Sequence, residues 1–352
     1  MRKTYCEINL SNLKSNVERI VSNFTNYSYY FGVVKADCYG HGIECVQSII
    51  DGGCNYLAVA TVKEALDIRE RFSNVPILCL GCIFGNDISI CIQNNITISI
   101  CNLEQLEDIL KYDCNGLICH IKLNTGMNRL GISSKDEFVD VMDILYKKEI
   151  YMEGIYSHIY DASNEKRYNE QLNKFKELLS YIDISNVEII HLAASDALVN
   201  YPKPDFINGC RLGIIMYGLT ERLELESTFK VVSEVIQINT LNRGDVLGYN
   251  GDYVSKQDNE MIAVIPIGYA DGIIRKNKGR YVYINDKKYL IVGNICMDML
   301  FVKVDDSVNV HDEVFVLKDN EHINEVCDYL ETIPYEVMCS IGKRVERVYI
   351  LN

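Results

Sequence analysis

The stretch YYFGVVKADCYGHG at residues 29–42 runs from an apolar strand-like segment into a single lysine, Lys35, and then into a turn shaped by Gly40 and Gly42. Its first half, YYFGVVKA (29–36), is the first of eight short apolar runs. The others are YLAVAT (56–61), ILCLGC (77–82), ITISICN (96–102), LICHIKLN (117–124), MEGIYSHI (152–159), EIIHLAA (188–194) and FINGCRLGIIMYG (206–218). Between most of them lie stretches such as VKEALDIRERF, LEQLEDILKY, SSKDEFVDVMDILYKK and NEKRYNEQLNKFKELLSYI. In these the apolar residues recur at three and four, the period of an amphipathic helix. Eight such strand–helix units predict a (β/α)8 TIM barrel, because parallel strands need crossover helices and eight of them close.

After about Glu226 the texture changes. VVSEVIQINTLNRGDVLGY, MIAVIPIGY, RYVYINDKKYLIVGNICMDMLFVKV and DEVFVLKD are β-rich runs punctuated by turn dipeptides, with little helical period before NEVCDYLETI. They predict a mainly antiparallel β domain. The opening RKTYCEINL is strand-like and precedes a helix with Ser11 as candidate N-cap, so it is free to pair outside the barrel. The expected division is a barrel over residues 11–226 and a β domain over 227–352 that includes the N-terminal strand 1–10.

Composition narrows the function. Of 352 residues, 48% are hydrophobic, 24% charged and only 5 are proline, as in a folded globular chain. Lys+Arg of 35 against Asp+Glu of 49 gives a net charge of −14, and no basic run tracks a phosphate backbone, which argues against a nucleic-acid partner. The N-terminus has no apolar signal core, and no apolar stretch is long enough to span a membrane. The 14 cysteines sit largely inside apolar runs, so reduced thiols in a cytoplasmic protein are expected. Cys79 and Cys82 form a lone C-x-x-C, and the 6 histidines lack ligand spacing, so no metal site is predicted.

Active groups in such a barrel gather where the strands end. Those ends carry Lys35, then Lys122, Asn124 and Arg129, then His158, Ser195 and Arg211. A lysine between Val34 and Ala36 is readily desolvated, which lowers its pKa and suits Schiff-base chemistry; a lysine snorkelling to the rim has the same pattern.

VVKADCYGHG (33–42) resembles the pyridoxal-phosphate lysine motif of the alanine racemases. KLNTGMNRLG (122–131), GIYSHI (154–159), HLAASDA (191–197), GCRLGIIMYG (209–218) and IPIGYADG (265–272), with GNICMD (293–298) beyond it, match that family in order. The resemblance spans essentially the whole chain and implies an isomerase interconverting L- and D-alanine through pyridoxal 5′-phosphate, with D-alanine destined for peptidoglycan. It implies Lys35 as the lysine that binds the cofactor and acts as base on one face. Tyr249, in LGYNGDY, is implied as the opposite-face base supplied by the partner subunit of a homodimer with shared active sites. Two bases on opposite faces are what racemisation requires, one removing the α-proton and the other returning one.

The resemblance further implies Arg211 facing the pyridine nitrogen and His158 bonded to Arg211. Tyr39, Ser195, Gly213 and Ile214 are implied around the phosphate, and Arg129 beside the phenolic oxygen and the substrate carboxylate. Lys122 corresponds to a lysine carbamylated in some members. Tyr269, Met297 and Asp298 are implied on the substrate side, contributed by the second subunit. Lys343, in SIGKRVERV, stands where the family usually has a tyrosine touching the phosphate. Ala194 and Asn124 replace a common asparagine and aspartate. These departures keep a serine or broader-specificity racemase as the alternative. A decarboxylase of the same plan is disfavoured by Arg211 and by a missing glycine-rich phosphate segment. A cofactor carrier is disfavoured by the β domain that bears Tyr249.

Overall fold

The computed structural model describes residues 2–351. Eight parallel strands close into a barrel: β2 (Tyr29–Val33), β3 (Tyr56–Val59), β4 (Ile77–Cys82), β5 (Ile96–Ile100), β6 (Ile118–Lys122), β7 (Tyr151–Tyr156), β8 (Ile189–His191) and β9 (Gly209–Leu212). Closure is made by β2 on β9, with Tyr29 opposite Gly209 and Phe31 opposite Arg211. Seven of the eight runs read from sequence contain one of these strands, and the run at 152–159 holds all of β7 but its first residue. They read as continuous apolar runs because strands of a parallel barrel are covered on both sides.

Helices surround the barrel, and their starts are chemically marked. Thr61 caps Val62–Arg69 through a reciprocal box with Glu64; Asn102, Ser134 and Asn164 cap Leu103–Ile109, Lys135–Lys147 and Glu165–Leu179. The first helix, Leu10–Asn23, is capped by Asn9, whose side chain accepts from Asn12 N at 2.8 Å. Ser11, the expected cap, lies inside that helix.

β1 (Tyr5–Asn9) belongs to a second sheet with β10 (Phe229–Glu234), β11 (Gln237–Leu241), β14 (Glu260–Ile265), β15 (Tyr281–Ile284), β16 (Lys287–Val292), β17 (Leu300–Val304), β18 (Glu313–Leu317) and β19 (Glu346–Ile350). A small ribbon of β12 (Val246–Leu247) and β13 (Tyr253–Val254) stands apart, next to the Tyr249–Gly251 turn. The pairings of the large sheet are antiparallel except β1 with β19. Arg347 fixes this sheet to the barrel: its Nε donates to Gly40 O at 3.0 Å, and its Nη atoms donate to the carbonyls of Ile341, Gly342 and Val345. The turn after Lys35 is thereby tied to the last turn of the chain. Among the described residues no helix is long and apolar enough to cross a membrane.

Candidate active site

A cavity of about 590 Å³ opens at the C-terminal end of the barrel, lined among others by Lys35, Lys122, Arg129 and Arg211. Converging cations in a half-buried site repel one another and lose hydration, and their acidities record it. Burial, then the Arg129 guanidinium, holds the Lys35 ammonium below its ordinary pKa. Burial, then Arg211, lowers that of Lys122 to about 8, and burial brings Arg211 to about 10. Among the described residues no carboxylate pairs with Lys122; its Nζ lies 4.9 Å from the centre of the Tyr156 ring. The arrangement calls for an anion and keeps an amine ready to act as a nucleophile or base.

Lys35 is aimed by an unusual piece of backbone. Ala36, Asp37, Cys38 and Tyr39 all have φ between 52° and 55°, a full left-handed turn without glycine. Such a turn costs about 1–2 kcal/mol per residue and persists only where surroundings fix it. Here Glu64 Oε1 accepts from Ala36 N at 2.7 Å, while its Oε2 accepts from Ala60 N at 2.8 Å and Thr61 N at 3.2 Å. Gly40 and Gly42 close the turn by donating to Ala36 O and Asp37 O, each at 2.9 Å. The left-handed winding brings both Lys35 at its head and Tyr39 at its end to the same cavity.

The same cavity holds a cradle for a compact anion. Ser195 opens the helix Ser195–Asn200, and its Oγ accepts from Gly213 N at 3.3 Å and Ile215 N at 3.4 Å. A Cβ on Gly213 would fall 3.1 Å from Tyr39 Oη and 3.5 Å from Ser195 Oγ, so the absence of a side chain there leaves the space between them open. Backbone amides, two hydroxyls and the nearby cations form a donor set suited to a phosphate. The residues present therefore fit pyridoxal phosphate: a lysine with a weakened ammonium, a phosphate cradle, and a cation at the floor.

That floor is Arg211. Its Nη2 donates its two protons to Ser157 O at 2.8 Å and Leu192 O at 2.9 Å and shares one of them with His158 Nδ1 at 3.3 Å, and its Nη1 donates to His191 Nδ1 at 2.8 Å. His158 is held to about 3 by burial and by Arg211, so it stays neutral. Sequence reading identified His158 but not His191, which makes the shorter bond. The HLAASD segment shows that histidine, but its alternation places it in the barrel interior, where a histidine reads as core.

Three placements refine the sequence reading. Lys343 is exposed and does not line the cavity: the turn holding it is pinned by Arg347 and by Gly342 N donating to Asp271 O at 2.9 Å. Tyr335, which sequence reading passed over, lines the cavity instead, its ring 5.7 Å from that of Tyr39. Burial and the Asp196 charge raise its hydroxyl to about 12. Tyr249, Tyr269 and Met297 are 68%, 43% and 53% exposed and lie outside this chain's cavity. Loop hydrogen bonds gather them on one surface of the β domain, Asn294 Nδ2 donating to Tyr249 O and Tyr269 N to Cys296 O. Asp298 lies there too, held by Arg344 Nη2 at 2.7 Å.

Comparison with known proteins agrees with this geometry. Sequence-family models for the alanine racemase N-terminal and C-terminal domains match residues 8–221 and 228–349. Alanine racemase 1 of Bacillus subtilis is 33% identical over 368 aligned residues, covering 100% of this chain and 94% of that protein. The crystal structure of alanine racemase from E. faecalis superposes with a TM-score of 0.94 at 30% identity, covering 99% and 98% of the two chains. The alanine racemase from Bartonella henselae, solved with covalently bound pyridoxal phosphate, superposes with a TM-score of 0.88 at 26% identity, covering 99% of each. A barrel that turns a desolvated lysine toward a phosphate cradle, continued by a β domain matched along its length, leaves one assignment: the chain belongs to the alanine racemase family.

Proposed function

We propose that the protein interconverts L- and D-alanine with pyridoxal phosphate attached to Lys35, as a cytoplasmic homodimer in which Tyr249 of each subunit serves the other's cavity. The observation that carries this reading is the separation of the two bases, Lys35 inside the barrel and Tyr249 exposed on the β domain. Bound there, the cofactor supplies the electron sink that makes the substrate α-proton removable. Lys35 Nζ takes or returns that proton on one face and Tyr249 Oη on the other. Tyr39, Ser195 and the amides of Gly213 and Ile214 hold the phosphate, and Arg129 steers the substrate carboxylate. Arg211 has only donors, so it bonds the ring nitrogen without leaving it a proton. His158 steadies Arg211; Tyr269, Met297 and Asp298 form the entrance from the second subunit. We assign the wall position expected of Lys343 to Tyr335, and divide the folding units at residues 226 and 227.

Lys122 completes the reading as a carbamate. Its neutral amine attacks carbon dioxide, an N–C bond forms, one proton leaves to water, and the anion faces Arg129. The test of function is chiral analysis in heavy water with pyridoxal phosphate and, separately, L-Ala, L-Ser, L-Lys and L-Arg. Deuterated D-alanine as the fastest product is expected. A faster reaction with serine moves the assignment to the broader-specificity racemases, and carbon dioxide release without exchange overturns it.

A further inference from the structure

Behind Arg211 a line of hydrogen bonds runs through the barrel to the opposite mouth. His191 Nδ1 accepts from Arg211 Nη1 at 2.8 Å, so the proton of the neutral His191 ring resides on Nε2, because arginine offers only donors. That Nε2 is 3.0 Å from His120 Nδ1, which must then accept, leaving the His120 proton on Nε2 as well. His120 Nε2 is 2.8 Å from Glu153 Oε2, whose carboxylate accepts. Both rings are fully buried and held neutral by burial. Glu153, near the start of β7, has a side chain 15% exposed.

The barrel makes room for this line. A Cβ on Gly154 would lie 2.6 Å from His120 Cε1, and one on Gly209 3.0 Å from His191 Cβ. His191 is clamped between Phe31 and Tyr156, with ring centroids at 4.5 Å and 4.7 Å. Two strand glycines and two aromatic plates thus hold two polar rings in a row where a barrel interior is ordinarily packed with branched apolar side chains.

We propose that Glu153, acting through His120 and His191 as neutral Nε2–H tautomers, sets how strongly Arg211 donates to the bound cofactor's ring nitrogen, which makes Glu153 and His120 remote positioning residues. The direction follows from polarisation along a hydrogen-bond chain. The carboxylate draws on the His120 proton and raises the basicity of His120 Nδ1. That nitrogen in turn draws on the His191 proton, and His191 Nδ1 takes a firmer hold of Arg211 Nη1. A guanidinium committed to one strong acceptor is a weaker donor to others, so the ring nitrogen is bonded but not acidified. The inference rests on the racemase reading, since it gives Arg211 its partner.

The test combines a measurement needing no variant with two substitutions. In the holoenzyme labelled with 15N-histidine, whose 6 histidines give a sparse spectrum, His120 and His191 are expected as neutral Nε2–H tautomers at neutral pH. An Nδ1–H tautomer or an imidazolium at either ring overturns the proposal. Glu153→Gln keeps shape and removes charge; it is expected to shift the bound cofactor's absorbance and to lower kcat about tenfold with KM unchanged, the scale of one charge-assisted hydrogen bond. His120→Phe is expected to give the same absorbance shift, and the double variant no further change. Additive effects, or an unaltered spectrum in Glu153→Gln, reduce the line to core packing. Lack of turnover in the unaltered protein counts against the racemase function, whereas the tautomer result stands separately from it.

Discussion

At the residue scale the site is defined by cations that a water-filled groove would not hold so close. Lys122 shows the consequence. Its folded pKa of about 8 lies below the usual 10.5, with burial the first cause and Arg211 the second. A lowered lysine pKa means that the unfolded chain binds a proton the folded chain does not between the two values. Stability should therefore rise as pH climbs from about 8 toward about 10, with the full cost of the buried charge present below that window. Replacing Lys122 with Met removes the titration. In buffer free of carbon dioxide the variant should be more stable than the natural chain at neutral pH, and the gap should close as pH rises. Urea unfolding at several pH values reads this directly, and a gap that ignores pH would place the charge in solvent. Adding bicarbonate at neutral pH should narrow the gap as well, because a carbamate replaces the buried ammonium with an anion facing Arg129. Tyr249 makes a second prediction at this scale. Tyr249→Phe should leave solvent exchange from one alanine enantiomer and abolish it from the other, and equal loss in both directions with intact cofactor binding would assign the tyrosine to structure.

At the scale of elements the critical piece is the left-handed turn after Lys35, and Glu64 holds it. One carboxylate satisfies three backbone amides, so Glu64→Ala strands donors beside a strained backbone. We expect a loss of about 1–2 kcal/mol, the scale of charge-assisted hydrogen bonds lost at exposed and half-buried amides, together with weaker cofactor affinity. Urea unfolding and a cofactor titration measure the two, and a variant with lost stability but normal affinity would separate the turn from Lys35. Gly154→Ala should cost about 1–3 kcal/mol through overpacking against His120, whereas alanine is ordinarily the better residue away from positive φ. The sequence displayed the eight strands of the barrel because buried parallel strands are plainly apolar. It also displayed Lys35, Ser195 and Arg211, because strand ends concentrate polar residues, whereas Gly213 entered only through the family resemblance. The turn was hidden, since Ala36 and Cys38 carry no sign of a positive φ and Asp37 alone does not announce a run of them. His120, His191 and Glu153 were hidden for another reason: residues on barrel strands read as core until pairing shows which of them face one another. Tyr335 meets Tyr39 only because Arg347 clamps the end of the chain onto the turn after Lys35, a contact between distant segments that no local pattern encodes.

At the scale of the whole molecule, the proposed homodimer has each chain present half of two different sites. Its barrel offers Lys35 and the phosphate cradle, and its β domain offers Tyr249, Tyr269 and Met297 on a surface that its own cavity does not use. Exposed aromatic and methionine side chains gathered by loop hydrogen bonds suit a self-complementary interface. The arrangement predicts complementation between two inactive proteins. A subunit with Lys35→Ala keeps a good Tyr249, and a subunit with Tyr249→Ala keeps a good Lys35. When the two associate, one of the two sites receives both natural bases and the other receives neither. Unfolding and refolding an equal mixture makes half of the dimers mixed, each with one intact site, so activity should recover to about one quarter of the natural level. Each parent refolded alone should stay inactive. Recovery that depends on protein concentration in the same way as the dimer measured by sedimentation would tie the chemistry to association. If the mixture stays as inactive as its parents while mixed dimers form, the two bases act within one chain, and the exposed surface around Tyr249 has to be explained by something other than catalysis.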